Sequence, residues 1–283
     1  MNIKNMITKI IPGFIVRWLK ILKQKNKLRK IPGIKCDFKV LIPNSEIKKE
    51  DLFSSSTIKK QWSNINKEIE KFDIPDGTGG VNPGDRKIIY FLINYFQPTN
   101  VLEIGTHIGA STLHIASALY YQQNDKNIKA RLTTVDIFDV NDPDTRRWLN
   151  FDTNLSPRQM IEEMSLQEIV QFETASSIEF SKECKDTYDF IFLDGSHDAD
   201  VVYQEIPLML KLLNKDGVIL LHDYFPGLKP LWSDDGVIAG PWLAVNRLKN
   251  EGAKLSVIPI GKVPWKTKLN SNVTSLALLT KNE

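Results

Sequence analysis

The sequence predicts an open, doubly wound α/β domain: a mostly parallel sheet with helices on both faces, preceded by an N-terminal helical extension. Three observations carry this. Short apolar runs alternate with helical patterns across residues 85–260, the order produced when each strand is followed by a helix that packs back on the sheet. Those runs end in acids or glycines, as at Asp136, Asp194 and Asp223, and sheets of this kind hold ligands outside the carboxyl ends of their strands. The run Val101–Ile104 passes through Gly105 and Gly109 into a helical pattern at Leu113, Ile115, Ala118 and Leu119, which reads as strand, tight turn, helix.

Composition sets the frame for the elements. The chain has 283 residues, 42% hydrophobic and 25% charged, ordinary for a globular protein with a real core. No apolar run is long enough to span a bilayer. Cys36 and Cys184 are the only cysteines, in no metal or redox spacing, so a reducing, cytoplasmic setting is expected. The net charge of +3 is uneven. Residues 1–30 hold nine Lys/Arg and no acid, which leaves a net −6 for residues 31–283. A mildly acidic body argues against general nucleic-acid binding.

Residues 10–23 mix large apolar groups with cations, and Pro12 can open a helix. Two readings stay open. The segment is a basic amphipathic helix on an anionic membrane surface, which would place the protein against the inner face of a membrane, or it packs on the body or on a second subunit. Arg17 and Lys20 interrupt the apolar stretch, against a cleavable signal. Residues 31–75 form a polar, partly helical lead-in. Thr78–Asp85 is a turn-rich loop, and Arg86–Phe96 a helix with Ile88, Ile89, Phe91, Leu92 and Tyr95 inward.

After the glycine turn, Ala130–Asp136 is the second strand. Ser156–Met164 is helical with a Ser-Pro start, and Glu168–Phe172 is strand three. Tyr188–Asp194 is strand four, apolar on both faces and suited to the centre of a parallel sheet. A helix at Asp200–Leu213, a strand at Gly217–Asp223, a helix at Gly240–Asn250 and strands at Lys254–Pro259 and Val273–Thr280 complete seven strands.

The glycine turn has its own chemistry. Gly105 and Gly109 let a ligand lie against the backbone, and the helix that follows offers free N–H groups. The spacing is not the G-x-G-x-x-G of a dinucleotide pyrophosphate loop. Glu103 would repel a pyrophosphate and suits a ligand amine. Asp136, at the tip of the second strand, suits ribose hydroxyls.

In these stretches the chain resembles class I S-adenosylmethionine-dependent methyltransferases, in particular the catechol O-methyltransferase-like group and its bacterial branch labelled methyltransferase family 24. The resemblance covers residues 78–283. It implies a Rossmann-like seven-stranded methyltransferase domain over residues 76–283, with residues 1–75 as extension, and S-adenosylmethionine as cofactor. Val81 stands in the loop that closes over the methionine end. Glu103, Gly105, Thr106 and Gly109 match the first cofactor motif, with Ser111 near the carboxylate. Asp136, followed by Ile137, matches the ribose-binding acid, and Ala175 and Ser176 meet the adenine edge. Asp194 matches a first metal ligand beside the cofactor, and Asp223 a second. His197 falls where the animal catechol enzymes carry a catalytic lysine. Tyr224 stands where a third ligand is usually Asn or Asp, which leaves Mg²⁺ in question, with His222 as a compensating ligand.

The implied chemistry is coherent. Methyl transfer needs an acceptor oxygen in line with a sulfonium methyl. Two aspartates suit Mg²⁺, which orients a hydroxyl and lowers its pKa. Histidine is the side chain that titrates nearest neutrality, so His197, with Asp194, is the candidate catalytic pair. His107 is expected to contribute backbone, and His114 core packing. Trp232, Trp242, Trp265 and Phe225 either wall an acceptor pocket or belong to the core. Residues 234–242 read as an irregular lid over the site. The expected acceptor is a small hydroxylated molecule: a sugar, glycan unit or secondary metabolite. A nicotinamide-dependent oxidoreductase lacks its glycine fingerprint and a Tyr-x-x-x-Lys pair. A membrane-associated scaffold remains the non-enzymatic alternative, and a homo-oligomer is compatible with either.

Overall fold

The first five strands of the sheet alternate with helices, as the sequence pattern predicts. In this computed structural model, which describes residues 12–34, 49–77, 80–126 and 128–281, seven strands form one sheet in the order β3-β2-β1-β4-β5-β7-β6. They are β1 Asn100–Ile104, β2 Arg131–Asp136, β3 Val170–Thr174, β4 Tyr188–Leu193, β5 Leu213–Leu221, β6 Leu255–Lys262 and β7 Val273–Lys281. The first five pair in parallel. β7 runs antiparallel between β5 and β6. Cys36, Met1–Ile11 of the basic segment, and Thr78 and Gly79 of the turn-rich loop lie outside the described residues.

The order reverses at β1 and β4, the two central strands. That switch point leaves a crevice at their carboxyl ends. Alternate residues of each strand feed opposite layers. Phe190 and Phe192 of β4 join one core cluster, while Ile191 and Leu193 join the other. Because both faces are covered, these strands read as continuous apolar runs.

One layer is built on α4 (Pro83–Phe96) and α5 (Ala110–Lys126). The lead-in packs against it. α2 (Lys49–Leu52) and α3 (Ser56–Ile69) bury Leu52, Trp62, Ile65 and Ile69 in the same cluster as Ile88, Phe91 and Leu113. The sequence placed the start of α4 at Arg86. The helix instead begins at Pro83, capped by the Asn82 side chain, which accepts from the Asp85 N–H at 3.1 Å. Pro at the first position of a helix removes a donor that would have had no partner there. α6 (Pro157–Glu163) opens with a capping box between Ser156 and Gln159.

The other layer holds α7 (Ser177–Glu183), α8 (Ala199–Leu212) and α9 (Gly240–Asn250). The N-terminal helix α1 (Gly13–Arg29) docks on it: Leu28 is buried in that cluster, and the Arg247 guanidinium donates to the carbonyls of Leu28 and Ile31. Among the described residues, no helix is long and apolar enough to cross a membrane.

Candidate active site

The turn after β1 is shaped by the backbone. Gly105 has φ +100°, and a Cβ there would lie 2.5 Å from the Asp194 carbonyl oxygen; only glycine fits where two strand ends meet this closely. His107, at φ 50°, donates its N–H to Asp136 Oδ2 at 2.9 Å, and Phe138 donates its own to Oδ1 at 3.0 Å. Asp136 thus ties the glycine turn to the end of β2. The His107 ring lies tilted against Phe151 with centroids 4.3 Å apart, and burial lowers its pKa against the pull of Asp136 and Asp194. His114 is a core residue: it stacks on Trp62, and burial pushes its pKa down to about 3.

Above the turn lies one crevice in two lobes. The larger, about 660 Å³, is lined by Asp136, Ile137, Ala175, Ser176, Val201 and Glu205 among others. The smaller, about 250 Å³, is lined by Val81, Gly105, Thr106, Ser111, Asp194 and His197 among others. Both include Gly105, Asp136, Ile137, Gly195 and His197, so they are continuous. The size suits a ligand of cofactor dimensions.

Two residues of the first motif sit elsewhere than the sequence suggested. Glu103 does not line the crevice. Its carboxylate is buried beneath the turn and accepts from Ser111 Oγ at 2.5 Å, Thr112 Oγ1 at 2.5 Å and Thr134 Oγ1 at 2.6 Å. Burial pushes its pKa up to about 7, against the three hydroxyls. Side chains of a strand alternate between faces, and Glu103 belongs to the face that carries α5. Gly109 serves packing: a Cβ there would meet Pro157 at 2.9 Å.

Beside the smaller lobe, Asp194, His197 and Asp223 bring one ligand atom each within 4.8 Å of one another. His197 Nδ1 is 3.4 Å from Asp223 Oδ2. β5 ends at Leu221, earlier than the sequence suggested, because His222 and Asp223 turn out of it; Asp223 has φ 53°. The buried His222 imidazole lies between three carboxylates. Nδ1 is 2.9 Å from Asp194 Oδ1 and 3.6 Å from Asp223 Oδ2, and Nε2 is 3.5 Å from Asp85 Oδ2. None of these is a well-directed hydrogen bond; they are charge contacts. Burial opposes a charged imidazole, but Asp194 and Asp223 outweigh it and raise the pKa well above the ordinary value. Tyr224 takes no part. Its N–H donates to the Ser275 carbonyl at 2.8 Å, and its ring belongs to the core.

The aromatic residues after β5 mostly pack. Trp265 meets Phe53 edge-on and lies tilted against Phe91, and donates to the Gly84 carbonyl at 3.0 Å. Trp232 meets Phe225 edge-on and donates to the Val273 carbonyl at 3.1 Å. Gly240, in the segment read as a lid, brings the start of α9 against the His197 backbone. Sequence reading missed Asp85 and Glu205. Both are buried; Asp85 faces His222, and Glu205 lines the larger lobe with Ser177 Oγ donating to it at 2.5 Å. Asp85 had a signal in the Asn82-Pro-Gly-Asp85 cap. An acid within an apolar helical face was the signal for Glu205.

Residues 102–224, from β1 to the loop after β5, match a family model described as a methyltransferase domain. The matched segment contains the glycine turn, Asp136, Asp194, His197 and Asp223. No curated protein matches the chain. Solved structures share the methyltransferase domain's fold at low identity. The O-methyltransferase TomG from Streptomyces achromogenes, involved in tomaymycin synthesis and in complex with SAM, is 17% identical with a TM-score of 0.51, over 79% of this chain and 90% of that one. An O-methyltransferase from Bacillus cereus in complex with SAH is 18% identical with a TM-score of 0.51, over 82% and 94%. The SAH-bound methyltransferase PaMTH1 of Podospora anserina is 15% identical with a TM-score of 0.52, over 81% and 89%. The family-model match and the shared fold agree with the resemblance to class I S-adenosylmethionine-dependent methyltransferases.

Proposed function

We propose that the chain transfers a methyl group from S-adenosylmethionine to an oxygen of a small hydroxylated acceptor, such as a sugar, glycan unit or secondary metabolite. The observation that carries this reading is the continuity of the crevice. Its larger lobe takes in Ser176 and its smaller lobe Asp194, while Asp136 and His197 border both, so a ribose site and a proton-handling site share one crevice. The SAM and SAH complexes of the TomG and Bacillus cereus enzymes support the choice of cofactor.

The residues present fit that cofactor. Asp136 receives ribose hydroxyls while its two backbone bonds hold the turn. Ala175 and Ser176 border the adenine, and Val81, Thr106 and Ser111 the methionine end. S-adenosylmethionine supplies an electrophilic methyl group; the chain supplies position and field. The donor set beside the smaller lobe also fits a divalent cation. Asp194 and Asp223 offer the hard oxygens that Mg²⁺ prefers, and such an ion would orient the acceptor hydroxyl. His197 takes the hydroxyl proton on a ring nitrogen, and Asp223, 3.4 Å from Nδ1, stabilises the imidazolium that results. His222, charged between Asp194 and Asp223, balances these carboxylates from the buried side.

Calorimetric titration with S-adenosylmethionine, S-adenosylhomocysteine and NADH, each with and without Mg²⁺, tests the reading. Binding of the two adenosyl ligands, followed by turnover in a screen of hydroxylated acceptors, is the expected result. Preference for NADH would replace it with the oxidoreductase reading. Binding of neither ligand by a folded sample would leave a scaffold.

A further inference from the structure

Among the described residues, helix α1 is held to the body along one flank. Arg17, Ile21, Gln24 and Leu28 follow a spacing of four, three and four, which is one side of a helix. Gln24 Nε2 donates to Asp198 Oδ1 at 2.7 Å, Lys27 Nζ pairs with Asp198 Oδ2 at 2.6 Å, and Arg17 lies 3.7 Å from Asp235. The helix is therefore a fixed part of the fold, fastened to a loop that lines the crevice.

Among the described residues, the adjoining stripe packs on little else. At 100° per residue, Phe14, Trp18, Lys25 and Arg29 fall within a sector of about 60°. Phe14 is 64% exposed and Trp18 59%, and Leu19 is exposed nearby. Farther along, Lys25 and Arg29 line a groove of about 480 Å³ with Trp242, Asn246 and Asn250 of α9. The stripe thus changes from aromatic to cationic along its length. Two cations, two amides and an indole suit a phosphate headgroup, while exposed Phe and Trp suit the boundary below it.

We infer that α1 docks the enzyme on an anionic phospholipid surface, with Phe14 and Trp18 inserted at the headgroup boundary and Lys25 and Arg29 in contact with lipid phosphate. Charge decides among occupants. Residues 1–30 carry nine Lys/Arg and no acid, against a net −6 for the rest. Two copies pairing through this face about a two-fold axis would set like charges together, whereas an anionic bilayer attracts each of them. The inference goes beyond methyl transfer and does not depend on it.

The test is co-sedimentation of the full chain with phosphatidylcholine vesicles, with and without phosphatidylglycerol. Binding only to the phosphatidylglycerol vesicles, weakened by salt, is expected. Lys25→Gln with Arg29→Gln should weaken partitioning roughly 30-fold. Phe14→Ser with Trp18→Ser should weaken it comparably, with circular dichroism and S-adenosylhomocysteine binding as in the parent. Brominated lipid should quench the parent's tryptophan fluorescence, and Trp18→Phe should remove most of that quenching. Absence of vesicle binding, equal binding to both vesicle types, or a dimer that dissociates in the Phe14/Trp18 variant without any vesicle binding would each overturn the inference.

Discussion

Replacing Glu103 by glutamine isolates the energetic cost of a buried carboxylate under the cofactor turn. Burial pushes the Glu103 pKa from 4.5 up to about 7, while hydroxyls from Ser111, Thr112 and Thr134 partly offset it. A difference of about 2.5 units is worth about 3 kcal/mol at 1.36 kcal/mol per unit. The sign follows from proton counting. Between the unfolded value and the folded one, the native state holds a proton that the unfolded chain has released, so stability falls as pH rises. Glu103 is therefore stabilised by its neutral form below about pH 4.5 and loses up to about 3 kcal/mol by the time pH passes 7. Glutamine keeps the shape and an acceptor for the hydroxyls but cannot ionise. Urea unfolding of parent and Glu103→Gln, followed from about pH 4 to about pH 8, should show the variant gaining on the parent by about 3 kcal/mol as pH rises. Every other titrating group cancels in that difference. A gap that stays constant with pH would mean the carboxylate is solvated or paired with a cation, and the buried site beneath the turn would be wrong.

Asp136→Ala removes the acceptor for the His107 and Phe138 N–H groups along with the ribose contact, so calorimetry should show S-adenosylhomocysteine binding at least roughly 30-fold weaker. Retention of full affinity would place the ribose elsewhere. Asp223→Ala lies outside both lobes of the crevice lining; turnover should fall by roughly 10²–10⁴ with adenosyl affinity unchanged, and loss of that affinity would show that the two ends of the site are misplaced. Trp62, packed on Tyr90 and His114, anchors the lead-in to the main core. Trp62→Ala should lower unfolding free energy by about 3–5 kcal/mol in one cooperative transition, whereas a separate early transition would mean that residues 49–72 fold on their own.

The sequence made the sheet legible because its strands announce themselves. Apolar runs such as Tyr188–Leu193 stop at an acid, and Gly105 requires a backbone that other residues rarely adopt. The same property hid the direction of Glu103. A strand covered on both faces has no polar side, so its alternation says nothing about which carboxylate meets the ligand. Asp136 was legible because it ends a strand. The Asp85–His222 contact was not, because it joins a helix cap to the loop after β5 through the fold alone. Trp232 and Trp265 illustrate the remaining ambiguity: an indole that walls a pocket and one that fills a core leave the same trace, and only their hydrogen bonds to the carbonyls of Val273 and Gly84 decide it.

The insertion of β7 between β5 and β6 has a consequence for the order in which the protein is made. β5 gains its second neighbour only when residues 273–281 have been synthesised, and the same strand supplies Ser275, whose hydroxyl reaches Asp223 Oδ1 at 3.3 Å and whose carbonyl receives the Tyr224 N–H. The glycine turn and Asp136 need nothing from that strand. A nascent chain emerging from the ribosome can therefore assemble the glycine turn and Asp136 before the contacts that hold Asp223 and Tyr224. The surroundings of Asp223 are therefore complete only after β7 has joined the sheet.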